Sequence, residues 1–185
     1  LCIVNTRRHA RILHNLISKE QGAYHLSARM CPAHRTERLK EIRKVLESGK
    51  PCRVISTQLI EAGVDIDFPT VFRSSGGIDS IVQAAGRCNR EGNNPQGDVY
   101  VFRPEEHGLP SGWLRRAASL GEMTLRQYPD NPISLDAVEH YFSNMYSIEG
   151  EKLDAKGILK DLGEGWKQLS FPFEDIDKKY EFIEK

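Results

Sequence analysis

From residue 1 to about 105, short apolar runs alternate with amphipathic stretches. The runs at Leu1 to Asn5, Tyr24 to Ser27, Arg53 to Ser56, Thr70 to Phe72 and Asp98 to Phe102 have the length and β-branched or aromatic content of strands. Between them, residues 7 to 19 repeat at helical spacing, with Ala10, Leu13, Leu16 and Ile17 on one face and Thr6 placed to cap the N-terminus. Residues 32 to 47 start on a proline, turn Leu39, Ile42, Val45 and Leu46 to one side, and stop at Ser48-Gly49. Residues 79 to 89 predict a third helix. Strands that alternate with helices predict an α/β domain with a mostly parallel sheet covered on both faces. Ligands of such sheets bind beyond the C-terminal ends of the strands.

After Pro104 the alternation stops. Residues 112 to 128, 134 to 146 and 151 to 162 read as helices separated by Pro129-Asp130-Asn131-Pro132 and Glu149-Gly150, and an aromatic segment, Tyr180 to Ile183, closes the chain. The division expected from this pattern is a sheet domain over 1–105 and a mainly helical extension over 106–185.

Charge sharpens the division. The 26 basic and 26 acidic residues balance overall, but residues 1–105 hold 16 Lys/Arg against 11 Asp/Glu and residues 106–185 hold 10 against 15. A net +5 on the sheet half suits an anionic partner such as nucleic acid. Cys2, Cys31, Cys52 and Cys88 lack the CxxC spacing of a zinc site and fall in segments predicted as buried or helical, so neither a metal centre nor a disulfide framework is expected. The expected setting is a reducing cytoplasm. No apolar run is long enough for a membrane span. The chain opens on a strand without an initiating Met, which predicts a longer natural polypeptide.

The densest chemistry lies in Gln83-Ala84-Ala85-Gly86-Arg87-Cys88-Asn89-Arg90. On a continuous helix Gln83, Arg87 and Arg90 fall within about 40° to 60° of one another, opposite Ile81, Ala84, Ala85 and Cys88. A glycine inside such a helix costs about 1 kcal/mol relative to alanine, and the close approach of a phosphate would account for Gly86. Upstream, Val54-Ile55-Ser56-Thr57 leads through Gly63 to Asp65, which offers a hydroxyl to a phosphate and a carboxylate to a sugar hydroxyl or an arginine. Each segment alone also reads as an ordinary solvated face or capped turn. Their joint occurrence in this order carries the signal.

Taken in order, these segments resemble the second RecA-like domain of superfamily 2 helicases, with Thr57 to Asp65 as motif V and Gln83 to Arg90 as motif VI. Ile3-Val4-Asn5-Thr6-Arg7-Arg8 resembles motif IV, and Leu26-Ser27-Ala28-Arg29 resembles the segment that touches the tracking strand's backbone. DEAD-box enzymes open motif VI with His-Arg-Ile-Gly-Arg. Gln83-x-x-Gly86-Arg87-x-Asn89-Arg90-x-Gly92 is instead similar to the helicase-nuclease of type I CRISPR interference. Residues 134–142, 153–159, 171–173 and 180–184 are similar to the linker that follows its second RecA-like domain. That family often has His-Ser-Arg-Phe where Ser27-Ala28-Arg29-Met30 stands.

The resemblance implies an ATP-dependent helicase used in antiviral defence, with Mg2+ held mainly by a first RecA-like domain. It implies that Arg87 and Arg90 act on the γ-phosphate, Gln83 orients water or couples the domains, and Gly63 and Asp65 lie at the nucleotide. Thr6, Ser27, Arg29 and Thr57 would hold single-stranded DNA. Implied partners are the first RecA-like domain and nuclease domain of the same polypeptide and a CRISPR surveillance complex. The chain holds no Gly-x-x-x-x-Gly-Lys-Ser/Thr loop, and Asp136-Ala137-Val138-Glu139-His140 mimics a DEAH box on a predicted helix. This chain alone is therefore expected to turn over ATP slowly or not at all. Two other readings stay open: another superfamily 2 helicase, or a RecA-like module that binds nucleic acid or protein without an ATPase role.

Overall fold

Ile3 and Val4 are both fully buried, yet they belong to different cores, as successive residues of a strand must when a sheet is covered on both faces. In the computed structural model, which describes residues 1–105, 109, 111–168 and 170–180, five parallel strands form one sheet. They are β1 (Cys2–Ile3), β2 (Ala23–Leu26), β3 (Arg53–Ser56), β4 (Thr70–Ser74) and β5 (Asp98–Phe102), in the order β2-β3-β1-β4-β5. The register aligns Leu26 with Ser56, Ser56 with Ile3, and Ile3 with Arg73.

On one face, α1 (Arg7–Ile17) packs Ala10, Leu13 and Ile17 against Val4 and Ile55. On the other, α2 (Pro32–Glu47) contributes Ile42, Leu39 and Leu46, and α3 (Ile78–Ala85) contributes Ala84, to a core that includes Ile3, Val54, Phe68 and Val71. Thr6 caps α1, its hydroxyl accepting the His9 N–H at 3.2 Å. Leu16, expected inward, is 76% exposed. It lies at the edge of the apolar stripe, where Leu13 and Ile17 already fill the contact with the sheet.

Two compact units follow one another along the chain, Leu1–Tyr141 and Phe142–Lys185. The first includes α4 (Trp113–Gln127) beyond the sheet, and α5 (Leu135–Glu149) runs from the first unit into the second. α4 is set against the turn before α3: a Cβ on Gly121 would lie 2.1 Å from the Gly76 carbonyl oxygen, so only glycine permits this approach. The expected helix over 151–162 is instead a 3₁₀ turn, Gly150–Asp154, followed by α6 (Ile158–Gln168). Gly157 breaks the run at φ +67°, and the Asp154 carboxylate accepts the N–H groups of Leu159 and Lys160. A further helix, α7 (Phe173–Lys179), precedes Tyr180; residues 181–183 of the expected aromatic segment lie outside the described residues. All four cysteines are free, and Cys31 is exposed just ahead of α2 rather than buried. Among the described residues no helix is long and apolar enough to cross a membrane.

Candidate nucleotide and nucleic-acid site

The sheet register sets the first part of the site. Because Leu26, Ser56 and Ile3 align on adjacent strands, the residues just past them, Ser27, Thr57 and the Asn5-Thr6 pair, line the C-terminal edge of β2, β3 and β1. Ser27 and Thr57 are buried, at 7% and 6% exposure, whereas Arg29 is exposed in the turn that the Met30 N–H closes on the Ser27 carbonyl. Thr6 is half-buried and its hydroxyl already caps α1. The edge therefore carries hydroxyls, a helix N-terminus and the exposed Arg29, with Arg7 and Arg8 also exposed in the first turn of α1, a donor set suited to a phosphodiester backbone.

The second part joins two loops. After β3 a short 3₁₀ turn, Gln58–Ile60, leads to Glu61 and then Gly63, whose φ of +69° lies in the left-handed region glycine tolerates. Arg87 donates from Nε to the Ile60 carbonyl at 3.0 Å and from Nη2 to the Glu61 carbonyl at 2.7 Å. Arg90 Nη1 lies 3.4 Å from Asp65 Oδ1, with both side chains well exposed. The structure thus brings Gly63 and Asp65 beside Arg87 and Arg90. Partial burial, with Arg90 close by, pulls the Arg87 guanidinium down from its ordinary pKa, and Asp65 opposes that shift.

The continuous stripe expected across Gln83, Arg87 and Arg90 does not form. α3 ends at Ala85 with Gly86 as its C-cap, and the chain then turns sideways. The Phe68 N–H reaches the Arg87 carbonyl at 2.9 Å, the Asn89 N–H reaches the Phe68 carbonyl at 2.8 Å, and Asn89 adopts φ +47°. Lateral pairing with the loop before β4 outcompetes another helical turn. Gly86 caps α3 at φ −65°, and a Cβ there would meet no protein atom nearer than 3.5 Å, so neither backbone conformation nor packing within this chain requires glycine at the helix end. Gln83 stays on α3, exposed, while Arg87 and Arg90 sit in the turn beyond it.

Several residues of this region escape a motif-based reading. Asp67 holds the arginine turn, its carboxylate accepting the N–H of Arg90 at 2.8 Å and of Glu91 at 3.3 Å. Arg73 on β4, 1% exposed, meets Glu61 with Nε 2.7 Å from Oε1. Its Nη1 donates to Asn5 Oδ1 at 2.8 Å and the Ser74 carbonyl at 2.6 Å, and its Nη2 to Ser80 Oγ at 3.0 Å. Ser80 Oγ donates to Glu61 Oε2 at 3.1 Å. Burial pushes the Glu61 carboxyl up, against the pull of Arg73 and the Ser80 hydrogen bond. The signal available in sequence was an arginine within the apolar run Thr70-Val71-Phe72-Arg73-Ser74, which demands a buried acidic partner.

A five-stranded parallel sheet flanked by helices, with an arginine turn set against a Gly-x-Asp loop, defines a RecA-like domain. The chain belongs to the family described as CRISPR-associated nuclease/helicase Cas3, C-terminal, whose model matches residues 1–93. It is 34% identical over 189 aligned positions to the CRISPR-associated nuclease/helicase Cas3 of Methanothermobacter thermautotrophicus, covering 100% of this chain and 22% of that protein. Its fold is similar to T. fusca Cas3-ATP, with a TM-score of 0.57 and 20% identity, over 86% of this chain and 23% of that one. It is also similar to a chain of a pre-nicking CRISPR RNA-guided surveillance complex, with a TM-score of 0.54 and 22% identity, over 90% of this chain and 23% of that one. The chain thus spans less than a quarter of the length of the proteins it matches.

Proposed function

We propose that this chain is the second motor domain, with its linker, of an ATP-dependent single-stranded DNA helicase or translocase that works with a nuclease in type I CRISPR interference. The observation that carries the reading is the pairing of two arginines with the loop from Ile60 to Asp65 at one end of a RecA-like sheet, Arg87 anchored to the Ile60 and Glu61 carbonyls and Arg90 left exposed beside Asp65. Two guanidinium groups in one turn are a donor set that fits a polyphosphate. ATP would lie between this domain and a first RecA-like domain of the same polypeptide, and supply the phosphoryl group transferred to water.

In this reading Arg90 reaches across to neutralise the charge that builds in the transition state, and Arg87 sets the turn while adding a second positive charge. Gln83 orients water or couples the domains, and Asp65 releases Arg90 to contact ribose or the facing domain. Thr6, Ser27, Arg29 and Thr57 hold the DNA backbone. The Mg2+ that accompanies ATP would be held mainly by the first RecA-like domain. Domain closure on ATP and reopening after hydrolysis would shift the grip at Thr57 and Arg29 along the strand. The nuclease domain and a CRISPR surveillance complex complete the set of partners.

The test is ATP turnover, with and without single-stranded DNA, for this chain alone and for the longer natural polypeptide. DNA-stimulated turnover is expected only in the longer form. Arg90→Ala there should cost about 10³ or more in rate, the scale of a lost arginine finger. Hydrolysis left intact by Arg90→Ala would refute the assignment.

A further inference from the structure

Arg73 lies outside every segment that resembles a helicase motif, yet its guanidinium bonds to residues of two of them, Asn5 and Glu61, and to Ser80 on α3, the helix that leads into a third. Its bonds go to four places: Asn5, beside Thr6; the carbonyl at the end of its own strand; Ser80 on α3; and Glu61, just past the Gln58–Ile60 turn. Gln58 Nε2 in turn lies 3.3 Å from the Asn5 carbonyl, which closes the circuit on the DNA-facing side. On the nucleotide side, the backbone of Glu61, whose carboxylate pairs with Arg73, accepts the Arg87 bond. Gly76 leaves the space: a Cβ there would come within 3.2 Å of Arg73 Nη2.

We propose that Arg73 and Glu61 form a positioning pair that transmits DNA contact at the Asn5-Thr6 and Thr57-Gln58 edge to Arg87, and so to ATP turnover. The inference rests on the motor reading above. A buried ion pair is a poor source of net stability, because the desolvation of two charges offsets most of their attraction, so stability alone does not explain its position. What it does provide is rigidity between groups that must move together. Buried charges in close contact at low dielectric resist distortion of any one member, so a shift of Asn5 or Gln58 displaces Arg73, Glu61 and the carbonyl that Arg87 holds.

The experiment uses the longer polypeptide that contains the first RecA-like domain, with oligo-deoxythymidine as the DNA probe. The readouts are ATP turnover with and without DNA, DNA affinity by fluorescence anisotropy, and the thermal midpoint. Glu61→Gln keeps the side-chain volume but removes the charge. It should lower the fold-stimulation by DNA by about five- to a hundredfold, the range of ordinary coupling between sites, while DNA affinity moves less than about threefold. Ser80→Ala, which removes one hydroxyl and leaves the ion pair, should give a smaller loss in the same direction, and it decides the question if Glu61→Gln does not fold. Wild-type fold-stimulation in the folded variants, with only a lower thermal midpoint, would overturn the proposal and leave the pair a structural one. Wild-type protein that shows no stimulation by DNA would instead sink the motor reading, and this inference with it.

Discussion

Arg87 and Arg90 are three residues apart and face the same loop, but they are held differently and should fail differently. Arg87 spends Nε and Nη2 on two backbone carbonyls, whereas Arg90 makes one exposed ion pair of 3.4 Å with Asp65. Exposed pairs of that kind contribute about 0–1 kcal/mol, and hydrogen bonds to a charged group about 1.5–3 kcal/mol. Arg90→Ala should therefore leave the unfolding free energy within about 0.5 kcal/mol of wild type. Arg87→Ala should cost about 1–3 kcal/mol by orphaning the Ile60 and Glu61 carbonyls. Urea denaturation of the 185-residue chain measures both, and equal losses would show that the anchoring of Arg87 carries no weight. Both arginines could be read from sequence as a pair near Asp65. Their different duties could not, because these depend on carbonyls more than twenty residues away.

At the scale of elements, local pattern located every strand of the sheet and its three flanking helices, since strand alternation, Pro32 and the Ser48-Gly49 stop are all local signals. It failed where a distant segment competes for backbone hydrogen bonds. The apolar spacing of Ile81, Ala84 and Cys88 suits a helix through Asn89, but Phe68 captures the backbone at Arg87 and Asn89. Residue patterning gives no sign of that bridge, nor of Asp67 bracing the turn. The Arg73 network was hidden for a related reason, as its members Asn5, Glu61, Arg73 and Ser80 are brought together only by the sheet order. The packing of α4 is likewise non-local. With 2.1 Å between a Cβ on Gly121 and the Gly76 carbonyl oxygen, Gly121→Ala must push the helix away from the turn that starts α3. Overpacking of this kind costs about 1–3 kcal/mol. A measured unfolding free energy within about 0.5 kcal/mol of wild type would mean that α4 moves aside freely and does not brace that turn.

For the molecule as a whole, the motor reading raises the question of how a chain with no net charge would hold a polyanion. The +5 on residues 1–105 provides attraction, but among the residues assigned to the strand only Arg29 carries charge; Thr6, Ser27 and Thr57 offer hydroxyls and backbone. Each phosphate neutralised releases counterions and adds about −0.7 to the slope of log affinity against log salt for a single strand, whereas neutral hydrogen bonds add nothing. Oligo-deoxythymidine binding by this chain alone should therefore be weak, with a slope of about −0.7 to −1.4, far shallower than that of a protein gripping six or more phosphates. Arg29→Ala should flatten the slope by about 0.7, and Thr57→Val should lower affinity without changing it. Scrambling the sequence should matter little, since backbone contacts carry no base information. Tight binding that ignores salt and prefers one sequence would contradict this picture. A slope steeper than about −3 would place the grip on a broader basic surface, away from the edge of β1, β2 and β3. Under the motor reading a shallow slope suits stepping, because a domain that releases and regrips the strand in each ATP cycle must break every ion pair it makes with it.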